Sequence, residues 1–133
     1  MAFQFSIAAR NASLDAIEAA IGVSPTLEIR SGAVPANCAA AASGTVLATL
    51  ALPSDWIAAA SGGAKTLLGT WQDASADASG TAGHFRINQG GTCHIQGTVT
   101  ATGGGGDMTL DNVSIAATQQ VTVTAFTLNA GGV

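Results

Sequence analysis

Charge is the scarce ingredient of this chain: four Lys or Arg and eight Asp or Glu among 133 residues make 9% charged, where a soluble domain carries about 25%. Arg10, Arg30, Lys65 and Arg86 are scattered through a chain of net charge −4, which excludes the basic footprint of a nucleic-acid binder. No apolar run reaches the roughly 18 residues of a membrane-spanning helix, and the length suits one domain, residues 1–133, with one core.

The apolar fraction is 47%, but Ala supplies much of it. The exterior must then be built from Ser, Thr, Asn, Gln, Gly and Ala. Such a surface loses little hydration when covered. It suits a weakly charged free domain and equally a subunit packed among neighbours, since interface centres are depleted in charge. The first ten residues lack a basic region before an apolar stretch, so no secretory signal is expected. The redox context then reads as cytosolic, and Cys38 and Cys93 are expected as two buried thiols, not a bridge.

In chain order, residues 1–5 form a short strand or an extended arm, with Phe3 and Phe5 at period-two spacing. Residues 6–21 read as a helix. Ile7, Leu14, Ile17 and Ile21 share one face, Ser6 can cap the start, and Gly22 sits where a helix stops. Residues 25–128 alternate in short runs broken by Gly, Pro, Asn and Asp. Strands are expected at 26–30, 46–52 and 67–71, with a loop over 31–43 and a mobile acidic connection over 72–80.

Residues 82–88 and 92–99 form the clearest hairpin. A three-residue loop, Gln89-Gly90-Gly91, sets Phe85 against Ile95 and Ile87 against Cys93, with His84 facing Gln96 and Arg86 facing His94 on the solvent side. Residues 102–106 read as a glycine turn, followed by strands at 108–110 and 113–115. The last strand, 121–128, slips phase, which a bulge near Thr124 and Ala125 would reconcile. Residues 129–133 are expected to be a loose tail. The sum is a mainly β fold. It is an antiparallel β-sandwich or partly closed barrel of about eight short strands, with the helix over an open side.

Chemical motifs are sparse. Gly62-Gly63-Ala64-Lys65-Thr66 has Ala where a phosphate-binding loop needs Gly before Lys, and reads as an exposed turn. Gly22-Val23-Ser24-Pro25-Thr26 fails the nucleophile-elbow pattern at its last position. Adjacent Cys93 and His94 point to opposite faces of a strand, so they cannot share a metal. His84 and His94 fall on one face as diagonal neighbours, with no carboxylate beside them. Trp56 and Trp71 could stack on a sugar, but a chain with no Tyr and four Phe needs them in its core. No catalytic, metal or cofactor-binding residue is therefore assigned.

The order Thr26-Leu27-Glu28-Ile29-Arg30-Ser31-Gly32, then Pro35-Ala36-Asn37-Cys38, then Ser43-Gly44-Thr45-Val46-Leu47-Ala48-Thr49, then Leu52-Pro53-Ser54-Asp55-Trp56, resembles a group of small structural proteins of tailed phages and prophages. Gly69-Thr70-Trp71, Gly80-Thr81-Ala82-Gly83-His84-Phe85-Arg86-Ile87 and Val123-Thr124-Ala125-Phe126-Thr127-Leu128-Asn129-Ala130-Gly131 extend the likeness over nearly the whole chain. The resemblance implies a non-enzymatic virion component, assembled in the host cytoplasm. A capsid decoration (cement) protein at capsomer junctions is the leading expectation. A tail or head–tail junction component and a surface glycan-binding module are the alternatives. Expected partners are the major capsid protein or other virion proteins and copies of the chain itself, with no nucleic acid and no membrane. Phe3 and Phe5 are the expected partner-binding residues, unless they pack into the domain's own core.

Overall fold

The helix ends where local chemistry says it should. In the computed structural model, which describes residues 3–131, Ser6 is extended and its Oγ accepts the Ala9 N–H at 3.1 Å, capping α1 (Ile7–Ile21). Gly22, at φ +88°, closes α1 by donating its N–H to Glu18 O at 2.8 Å. Met1 and Ala2 of the expected arm, and Gly132 and Val133 of the expected tail, lie outside the described residues.

Ten strands follow among the described residues: β1 (Thr26–Ser31), β2 (Val46–Ala51), β3 (Ala64–Thr66), β4 (Trp71–Asp73), β5 (Gly80–Gln89), β6 (Thr92–Ala101), β7 (Met108–Leu110), β8 (Ser114–Ile115), β9 (Val121–Val123) and β10 (Thr127–Asn129). Five of them run β2-β1-β5-β6-β7 in one sheet, with β8 added to the start of β5. The sheet curls into an open half-barrel. The two remaining ladders, β10-β3 and β4-β9, have two strands each. The mainly β expectation holds, but the strands outnumber the eight expected and do not divide into two comparable facing sheets.

The core fills the concave side. Leu27 and Ile29 of β1, Ala48 and Leu50 of β2, Phe85 and Ile87 of β5, and Val99 of β6 are all buried there. An aromatic chain crosses it. Trp56 and Trp71 have ring centroids 6.0 Å apart, Trp71 and Phe126 5.4 Å, and Phe126 and Phe85 5.6 Å. Both indole N–H groups are satisfied, Trp56 by Gly22 O and Trp71 by Trp56 O, each at 3.0 Å.

Several local expectations are corrected. The β5–β6 hairpin turns on two residues, Gly90 and Gly91, both at positive φ, with Gln89 opposite Thr92. Parity is restored by a bulge: Asn88 pairs with Cys93 but Ile87 with Ile95, leaving His94 as the extra residue. Phe85 therefore faces Gly97, His84 faces Thr98 and Arg86 faces Gln96. The expected last strand is two strands with different partners, β9 on β4 and β10 on β3, so its phase slip marks a handover between ladders and not a bulge. The expected strand at 67–71 does not form as such: Trp71 starts β4, and Leu67 makes an isolated bridge to Ile57.

The segment 72–80 is not loose. Asp73 accepts the Thr49 N–H at 2.9 Å, Asp77 accepts the Thr49 hydroxyl at 2.6 Å, and Asp77 N–H donates to Leu47 O at 2.8 Å. These bonds cover the outer edge of β2, where an unpaired strand would otherwise be open. The tail is held as far as Ala130, whose N–H donates to Gly63 O at 3.0 Å.

The glycine run 102–106 is a fold-back that sets β7 parallel to β6. A parallel pair ordinarily needs a crossover of about a dozen residues or more. Here the chain reverses within 102–107, hugging Thr100 so closely that a Cβ on Gly104 would sit 2.7 Å from its side chain. Asp107 fixes the return by accepting from both Thr98 N–H, at 2.9 Å, and Thr98 Oγ1, at 3.1 Å.

Candidate functional site

The convex face of the main sheet is covered as well. His84 and Arg86, expected in solvent, are 0% and 5% exposed. The loop 32–44 lies over them as a flap. Gly32 O is 3.0 Å from His84 Nδ1, and a carbonyl can only accept, so this nitrogen carries the proton. Arg86 Nη2 donates to Asn37 O at 3.3 Å and Ala40 O at 3.0 Å. Gln96 Nε2 donates to Pro35 O at 2.7 Å, and Arg30 Nη1 to Ser43 O at 3.2 Å.

The flap is also fastened covalently. Cys38 and Cys93 form a disulfide, Cα atoms 5.2 Å apart, which corrects the expectation of two thiols. The flap's carbonyls meet fixed donors on β5 and β6, which sets Cys38 over Cys93. Beneath it, His84 Nε2, Arg86 Nε, Asn88 Oδ1 and Gln96 Oε1 are buried without a protein partner. His94, displaced at the bulge, is exposed, so the two histidines do not share a face as expected. Among the described residues no group of three or more His, Cys, Asp or Glu is arranged to hold a metal ion.

A buried lysine paired with two partly exposed carboxylates docks α1. Lys65, expected in an exposed turn, is 1% exposed on β3. Its Nζ lies 2.6 Å from Asp15 Oδ1 and 2.9 Å from Glu18 Oε1. The Lys65 hydrogen bond and the Ala60 N–H hold the Asp15 carboxyl below its ordinary value. Burial pulls the Lys65 ammonium down, but the bonds to Asp15 and Glu18 outweigh it and the net shift is upward. Arg10 adds a second tether through Ala130 O, at 3.1 Å from Nη2, and Asn11 a third by accepting Gly63 N–H at 2.8 Å.

These contacts spend most of the charge. All four basic side chains are turned onto partners inside the chain: Arg10, Arg30, Lys65 and Arg86. Six of the eight acids, Asp15, Glu18, Glu28, Asp73, Asp77 and Asp107, accept internal bonds. Six large apolar side chains, by contrast, are left facing solvent. Phe3 is 84% and Phe5 57% exposed, and Ile7, Ile17, Val23 and Leu68 are exposed too. Neither phenylalanine packs into the domain's own core. Of the expected apolar face of α1, Leu14 and Ile21 are buried while Ile7 and Ile17 are not.

An apolar groove of about 560 Å³ runs beside α1, lined by Phe5, Ala9, Leu14, Ile17 and Ala130 among others. The helical period placed Ile17 on the core face of α1, but it stays exposed, as does Val23. Trp56 and Trp71 are both buried, so neither offers a surface platform for a sugar. No family model, no curated protein and no solved structure matches the chain.

Proposed function

We propose that the chain is a non-enzymatic structural subunit of a tailed-phage virion, placed on the capsid shell as a decoration protein at capsomer junctions. The observation that carries this reading is the pairing of two surface features. Cations are consumed inside, while Phe3, Phe5, Ile7, Ile17 and Val23 are left outside. An exterior so poor in free charge is cheap to desolvate, and apolar side chains held out to solvent are what an interface anchor needs. The work of such a subunit is mechanical. Many modest contacts repeated over a symmetric lattice sum by avidity, and the doubly covered, disulfide-fastened sheet supplies a rigid body to repeat.

The resemblance of the chain to small virion proteins supports the same reading, as does the arm. Phe3 and Phe5 lie ahead of a capped helix and contribute nothing to the core. They are the side chains offered to pockets of the shell. Deleting residues 1–5 tests this: occupancy on purified particles should fall while the isolated domain keeps its thermal midpoint. Unchanged occupancy would remove the anchor.

A further inference from the structure

We infer that the flap and the convex face of the main sheet enclose a binding site for a small carboxylate with an adjacent hydroxyl, and that Arg86 is its cation. A cavity of about 490 Å³ lies there. The Cys38–Cys93 bond and Ala40 form one wall, Arg86 and Asn88 another. Arg86 is buried, and burying a charge is costly unless it is paired and fully bonded. Lys65 meets that demand with Asp15 and Glu18, and Arg30 with Glu28. Arg10 is only half-buried, within reach of water. Arg86 has no ion-pair partner among the described residues. Its Nη2 takes two flap carbonyls, Asn37 O and Ala40 O, which leaves Nε buried without a partner.

The neighbouring groups decide what can bind. Glu28 and Arg30 also line the cavity. Glu28 Oε1 lies 3.1 Å from Arg30 Nε and 3.0 Å from its Nη2, so this pair is neutral. Arg86 remains as the one unbalanced charge, which a single carboxylate matches. Its bonds to a carboxylate are about twice as strong as those between neutral groups, so an anion suits it better than a further carbonyl. Glu28 Oε1 also accepts from Asn88 Nδ2 at 3.3 Å, which fixes the orientation of the amide. Asn88 Oδ1 is then an acceptor, and it too is buried without a partner. Arg86 and Asn88 stand two residues apart on one face of β5, about 7 Å along the strand. A 2-hydroxy acid spans them: its carboxylate accepts from the guanidinium, and its hydroxyl donates to Asn88 Oδ1. The flap gives no side chain to the core and is bounded by Gly32 and Gly44, both at positive φ, so it can yield to an entering ligand. The site does not depend on the chain belonging to a virion.

Titrating the isotope-labelled full chain with sodium L-lactate and following its amide NMR shifts, with the disulfide kept oxidised, tests it. Saturable shifts are expected at residues 38–42 and 86–93. Sodium propionate, which lacks the hydroxyl, should bind about 5-fold more weakly. Sodium chloride at equal ionic strength should give no saturable shift. Arg86→Gln should abolish binding. Thr92→Glu makes less demand on the fold, since it adds a carboxylate at the exposed rim, and should weaken lactate about 10-fold. Ala20→Glu, exposed on α1, should bind as the wild type does. Lactate without saturable shifts, or chloride reproducing them, would overturn the inference. So would undiminished binding by Thr92→Glu or by a folded Arg86→Gln, and propionate binding as tightly as lactate would remove the hydroxyl from the assignment.

Discussion

Phe85 on β5 sits directly across from Gly97 on β6, and the ring occupies the space a side chain at 97 would need. A Cβ on Gly97 would lie 2.8 Å from Phe85 Cε1 and 2.8 Å from Asp107 Oδ2. Phe85 is the end of the aromatic chain through Phe126 and Trp71, and Asp107 anchors the fold-back to β7. One absent methyl therefore joins two packing decisions. Gly97→Ala should destabilise the fold by about 1–3 kcal/mol through overpacking. The urea midpoint measures this, and an unchanged midpoint would show that the ring and the carboxylate can both move aside.

The Cys38–Cys93 bond closes a span of 55 residues, for which the chain-entropy relation gives about 4 kcal/mol. Its loss should be felt first in the flap. Under reductant, amide exchange at residues 32–44 should accelerate well before exchange in β1 and β5, which are paired on both sides. Uniform acceleration across the chain would mean that the flap and the sheet open as one unit.

The ion pair at Lys65 should respond asymmetrically. Lys65→Met removes the buried cation and leaves two carboxylates that reach solvent, so the urea midpoint should shift little. Asp15→Asn with Glu18→Gln leaves the ammonium buried without a counter-charge, and the midpoint should fall clearly. If Lys65→Met proved the more damaging, the pair would be holding α1 by more than charge compensation.

The same pair sets the response to pH. Asp15 is shifted down, so its contribution is full above the ordinary value of 3.8 and is lost as pH falls through the lower, folded value. Lys65 is shifted up, so its contribution is full below the ordinary 10.5 and is lost as pH rises through the higher, folded value. Stability should be level between about pH 5 and pH 9 in this respect and fall at both extremes. Thermal midpoints of the wild type and of Lys65→Met across that range provide the check, since the variant should lose the alkaline limb.

What could be read from the sequence was what local chemistry decides. Ser6 and Gly22 mark the helix because a cap and a stop are made by residues within four positions of each other. The turn at Gly90-Gly91 was located, but its register was not. Parity there depends on a bulge at His94, which the alternation of apolar residues alone does not reveal. The flap escaped notice for a similar reason: nothing near Cys38 points to Cys93, and His84 and Arg86 look like solvent-facing residues until carbonyls from 32–40 arrive over them. Lys65 reads as an exposed turn because its partners lie on a helix about fifty residues earlier. The period-two spacing of Phe3 and Phe5 left a short strand and an extended arm both open, and it is only their exposure in the structure that sets them outside the core.

The proposal that this chain works by packing against neighbours in a particle is tested most directly by counting it there. Quantitative mass spectrometry of purified, intact virions should give a copy number approaching that of the major shell protein, as a decoration protein requires. A few tens of copies would move it to the tail or the head–tail junction. Its absence from particles, with the chain recovered only free in the lysate, would contradict the structural role itself.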